Sequence, residues 1–107
     1  FSPDGKYLVS RSDDTAYVWE AETGQEVARM TYNDYVTSVA FSPDGRVLAS
    51  ISVDETVRLW NVSSKVELAV LEGPERDSHG ISFSPDGRLL VSGGADGTVW
   101  LWGVEQL

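Results

Sequence analysis

Asp77, Ser78 and His79 stand consecutively in this chain, and they are the three residue types of a hydrolase triad. A working triad needs nucleophile, base and orienting acid in line. Consecutive residues of an extended segment project to opposite sides and cannot line up that way. No G-x-S-x-G turn supplies another nucleophile. Carboxylates recur at Asp4, Asp44 and Asp86, each inside the string Phe-Ser-Pro-Asp-Gly. As acids, bases or calcium ligands they would have to converge on one site, whereas each belongs to a separate copy of the same string. The following Asp-Gly-Lys and Asp-Gly-Arg lack the spaced glycines and the Lys-Ser/Thr pair of a phosphate loop. With one His, one Met and no Cys, a transition-metal site would rest on carboxylates alone. Neither catalysis, metal nor cofactor is expected.

The same residues read better as punctuation. Pro presets φ at the second turn position, Asp can bond its own backbone, and Gly accepts positive φ, so Ser-Pro-Asp-Gly suits a tight turn. Phe1, Phe41 and Phe83 are 40 and 42 residues apart, and Trp19, Trp60 and Trp102 are 41 and 42 apart. Asp13, Asp54 and Asp96 each lie six residues before their Trp. Three landmarks share one period, so the chain is an internal repeat.

Within each unit the apolar pattern has the period of strands. Residues 36–41 (VTSVAF) alternate, and 46–52 (RVLASIS), 56–61 (TVRLWN) and 66–71 (VELAVL) are short and rich in Val, Leu and Ile. KYLVSRS and RLLVSGG match the second of these in the flanking units, and TAYVWE and TVWLWG match the third. The connectors are short turns apart from the stretch EGPERDSHG, and no apolar stripe has helical spacing. Four antiparallel strands per unit are predicted, labelled a to d from the repeat's start.

Length and composition agree with one soluble domain. The chain has 107 residues, of which 41% are hydrophobic. Its longest apolar runs are too short for a membrane-spanning helix, and no membrane partner is expected. A net charge of −9, with no basic patch, argues against nucleic acid. The absence of cysteine is compatible with the cytoplasm.

A period of 40–45 residues, four strands per unit and a Trp ending the third strand make the chain resemble the WD40 β-propeller repeat. The match includes the FSPDG turn, the core LASISVDETVRLW at 48–60 and Thr23-Gly24. The resemblance implies an all-β fold of antiparallel four-stranded blades, here an incomplete arc of about two and a half. Residues 1–34 would be a blade without its first strand, 35–73 a complete blade, and 74–107 a blade without its last. Because Phe1 opens the chain inside a motif, an excerpt of a longer propeller is expected. A homo-oligomer that completes a ring is the lesser alternative, since an a–b–c end and a b–c–d start do not sum to one blade.

The departures are specific. The family's Trp-Asp pair is Trp19-Glu20, Trp60-Asn61 and Trp102-Gly103. Its Gly-His pair falls at Thr31-Tyr32 and Gly73-Pro74. The resemblance therefore implies a buried Asp–His–Ser–Trp network that retains Asp13, Ser10 and Trp19, Asp54, Ser50 and Trp60, and Asp96, Ser92 and Trp102 but lacks its His in the two units whose His position falls within the sequence. Half-satisfied networks are costly. The three Asp are expected to anchor turns and the three Trp to pack between blades. Trp100, two residues before Trp102, shares its face.

Partners of such propellers dock on the rim formed by the loops entering strand a and joining b to c. Here that rim would carry Tyr35 and Thr37 in one blade and Asp77 and His79 in the next. The residues before the turn aspartates are Ser12, Val53 and Ala95. A non-enzymatic scaffold for protein or peptide partners is the leading expectation. A regulatory or sensor propeller attached to a catalytic domain, such as a kinase or nucleotide-binding unit, is the alternative.

Overall fold

A computed structural model describes residues 1–53, 56–72, 78–94, 97 and 99–104. Ten strands follow in order: β1 Tyr7–Ser12, β2 Thr15–Glu20, β3 Glu26–Thr31, β4 Val36–Phe41, β5 Val47–Ser52, β6 Thr56–Asn61, β7 Val66–Glu72, β8 Ser78–Phe83, β9 Leu89–Gly94 and β10 Val99–Gly103. They form three antiparallel sheets of consecutive strands, β1–β3, β4–β7 and β8–β10. No helix occurs among the described residues. The structure is thus all-β, with blades of three, four and three strands.

Alternation decides what each blade offers its neighbours. In β5, Val47, Ala49 and Ile51 face blade three and Leu48, Ser50 and Ser52 face blade one. Leu48 through Ser52 are all buried, as a sheet covered on both faces must be. Two cores result. Ala16, Val18, Met30 and Tyr32 meet Val36 and Leu48 between blades one and two. Ala49, Ile51, Val57 and Leu59 meet Ile81, Leu90 and Val104 between blades two and three. The register of β2 on β3 and of β6 on β7 shifts just before Trp19 and Trp60, the extra residue being Val27 or Leu68 of the partner strand.

The Ser-Pro-Asp-Gly turns are built identically in all three units. Gly45 N–H donates to Ser42 O at 2.9 Å. Ser42 Oγ donates to Asp44 Oδ1 at 2.6 Å and accepts from Val47 N at 3.0 Å, while Arg46 N donates to the same carboxylate at 3.0 Å. Gly45 sits at φ +74°, where a Cβ strains the backbone. Ser2 to Tyr7 and Ser84 to Leu89 repeat every bond. The serine hydroxyl is therefore as much a part of the turn as the Pro, Asp and Gly. Its bond holds the Asp44 carboxyl below the ordinary carboxylate range, with Arg46 N–H contributing next. Asp86 is lowered for the same reasons, and in Asp4 the Lys6 N–H bond leads.

Candidate interaction rim

The rim sits at the end of the blades opposite these turns, because β4 runs from Val36 to Phe41 and then enters the Ser42 turn. Three connections meet there: the β1–β2 turn at Asp13-Asp14, the loop from Tyr32 to Tyr35, and the turn after Ser52. Backbone bonds tie them together. Val36 N donates to Asp13 O at 2.8 Å, Tyr32 N to Asp14 O at 2.8 Å, and Val53 N to Tyr35 O at 2.9 Å. Ser52 Oγ reaches Asp34 O and Tyr35 O at 3.2 and 3.0 Å. Arg11 crosses from blade one to donate to Val36 O at 3.2 Å.

The Tyr35 backbone is thereby held while its side chain stays 61% exposed. Ordering a rotamer-rich group costs free energy on binding, so an aromatic on a pre-fixed loop is favoured as an anchor. Thr37 is half-buried and donates to Ile51 O at 3.3 Å. Ser12 is exposed opposite Thr15 in the hairpin, and Val53 is half-buried. The structure brings Ser12, Tyr35, Thr37 and Val53 to one edge. His79 is the second residue of β8, while Asp77 and Ala95 lie outside the described residues, as do Asp54 and Asp96. Asp13, with φ +51°, serves the rim through its carbonyl. The neighbouring Asp14 carboxylate accepts from Thr15 Oγ1 at 2.8 Å, and Asp34 accepts from Tyr35 N at 2.8 Å. Among the described residues no cluster of His, Asp or Glu is set to hold a metal.

Beneath the rim lies the buried polar network, and its hub is Tyr32. Trp60 Nε1 donates to the Tyr32 hydroxyl at 3.0 Å, and that hydroxyl also bonds Ser50 Oγ. The Arg58 guanidinium lies 4.7 Å from the Tyr32 ring centre. Burial pushes the phenol above its usual pKa, against the pull of its Ser50 and Trp60 bonds. In blade two a tyrosine stands where the family has His and links Trp60 to Ser50, while the network's fourth member, Asp54, lies outside the described residues. In blade one Trp19 Nε1 donates directly to Ser10 Oγ at 2.8 Å. In blade three Ser92 Oγ is buried with no partner among the described residues. Tyr32 was readable by its spacing from Phe41; its residue type concealed the role, because only the folded distance shows that a phenol reaches.

Trp60 packs into the core between blades one and two, and Trp102 into that between two and three. Trp19 is half-buried on the outer face of blade one, stacked on Tyr17 at 6.0 Å between ring centres. Trp100 stacks on Trp102 at 5.9 Å.

Repeat, blades and network together define a class, that of β-propeller repeat proteins. The family model for "WD domain, G-beta repeat" matches residues 1–20, 24–61 and 65–103. This chain belongs to the WD40-repeat family. Among curated relatives it is similar to a coronin-like protein of Saccharomyces cerevisiae, 41% identical over 63% of this chain. The beta chain of a guanine nucleotide-binding protein of Schizosaccharomyces pombe is 38% identical over 59% of it. A component of chromatin assembly factor 1 of Gallus gallus is 33% identical over 61%. The aligned stretches span 10%, 21% and 12% of those relatives' own lengths.

Proposed function

We propose that this arc of WD40 blades is a non-enzymatic scaffold for protein or peptide partners, engaged through the rim around Tyr35. The carrying observation is a largely exposed aromatic side chain on a loop whose backbone is bonded to two neighbouring hairpins. Two of the similar proteins are named as components of larger assemblies, which favours interaction over chemistry. A net charge of −9 opposes nucleic-acid partners.

The test compares affinity capture by the wild-type chain and by Tyr35→Ala and His79→Ala, quantified by mass spectrometry beside thermal unfolding. Tyr35→Ala removes a side chain that contributes nothing to the cores, so the melting temperature stays within about 2 °C. Loss of specific partners at unchanged stability supports the rim. An identical capture profile eliminates it.

A further inference from the structure

On the face that carries the Ser-Pro-Asp-Gly turns, the two junctions between blades are built to one spacing. Pro3 Cδ lies 3.6 Å from where a Cβ on Gly45 would stand, and Pro43 Cδ lies 3.6 Å from the same point on Gly87. Behind the turns, Phe41 and Val62 close the first junction, and Phe83 and Val104 close the second from the same positions. Val62 N and Val104 N are fixed alike, donating to Arg46 O and Arg88 O at 2.9 and 2.8 Å.

One position differs in kind. Five residues after the turn serine stands Tyr7 in blade one and Val47 in blade two. Each opens its strand and packs toward the following blade, Tyr7 on the core between blades one and two and Val47 on that between two and three. The change from Val18 to Leu59 on the next wall returns one carbon, which does not replace a phenol ring. The second junction keeps a hollow of about 450 Å³ beside Val47, a size that takes a ligand. Its walls are apolar: Leu59 and Val104 are buried, and Phe83 is half-buried. Exposed Asp44, Asp86 and Arg88 stand at the mouth. The hollow lies between two blades and away from both outer flanks.

We propose that this hollow binds the side chain of a phenylalanine presented by a peptide partner, with the ring against Leu59, Phe83 and Val104. The neighbouring junction identifies the ring, since there the molecule supplies one itself at the position where Val47 stops short. A ring entering from the mouth turns its far tip to Leu59 and Val104, where a phenol hydroxyl would be buried without a partner. An unsubstituted phenyl is therefore preferred, and it gains an aromatic contact with Phe83. The mouth identifies the peptide. Turn bonds hold the Asp44 and Asp86 carboxyls low, so both are ionised at neutral pH, and carboxylates accept the N–H groups that flank every side chain of a peptide. The site lies at the end of the blades opposite the rim, so it stands or falls independently of partner capture there.

Titration of the ¹⁵N-labelled chain with acetyl-phenylalanine amide, read by NMR at the amides of Val47, Leu59, Gly87 and Val104, tests it. Saturable shifts with a dissociation constant on the order of 1 mM are expected, as one anchored side chain gives. Acetyl-leucine amide is expected to bind about fivefold more weakly. Val47→Tyr fills the hollow from within, as blade one does, so it is expected to keep at least the wild-type unfolding midpoint and to lose the saturable shifts. Val47→Phe serves as a smaller second variant. Tyr35→Ala leaves the titration unchanged, which separates this site from the rim. Shifts that do not saturate by about 10 mM ligand overturn the proposal. So does equal affinity for the leucine amide, or undiminished binding by a folded Val47→Tyr or Val47→Phe. Failure of both variants to fold overturns it as well, because the space then does not accept a ring.

Discussion

Ser50 and Ser92 occupy the same position in successive blades and are 0% and 1% exposed, yet their hydroxyls live differently. Ser50 Oγ is bonded to the Tyr32 hydroxyl, which itself accepts from Trp60 Nε1. Ser92 Oγ has no partner among the described residues. Ser50→Ala removes one buried bond and leaves the phenol without that partner, a loss of about 1–3 kcal/mol. For a domain of this size that lowers the melting temperature by roughly 5–20 °C. Ser92→Ala removes a hydroxyl that was desolvated without compensation, so the variant is expected between unchanged and about 1 kcal/mol more stable. The chemical change is identical, and so is the burial; only the partner differs. Urea unfolding of both variants beside wild type, with the slope unchanged, measures the contrast. A Ser92→Ala midpoint that falls as far as that of Ser50→Ala would refute the assignment of an unpartnered hydroxyl.

Tyr32→Phe is expected to cost less than Ser50→Ala, because Trp60 Nε1 can turn to Ser50 Oγ as Trp19 does to Ser10; equal or larger destabilisation in thermal melts would exclude that rearrangement. Gly45→Ala places a Cβ at 3.6 Å from Pro3 Cδ, an ordinary contact, but at φ +74°, so about 1 kcal/mol of destabilisation is expected from backbone strain alone. The carboxyls of Asp4, Asp44 and Asp86 are held below 3.8. Their stabilisation is therefore complete above that value and is lost as pH falls through the lowered folded values. Asp44→Asn should flatten the acid limb of a stability–pH profile, and an unaltered limb would show that the turn bonds are not formed in solution.

Much of this fold is legible from local chemistry. The 41-residue period, the strand alternation and the Ser-Pro-Asp-Gly turns depend on residues near one another in sequence, so short-range rules place them. The choice of Ser12, Tyr35, Thr37 and Val53 as rim residues rests instead on the family resemblance, carried over by their offsets to the turn and strand landmarks. The bonds from Tyr35 O and Asp13 O across three connections could not be read either way, because they join segments far apart in the chain. Tyr32 shows the same limit, its role depending on the reach of a phenol between Trp60 and Ser50. Burial shows it most plainly. Val57 and Val99, like Leu59 and Leu101, are equivalent in pattern and strand position, yet one pair is wholly buried and the other largely exposed. The sequence determines that such a face is apolar. Only the tertiary arrangement decides whether a neighbour covers it, since burial belongs to the pair of surfaces and not to either one alone.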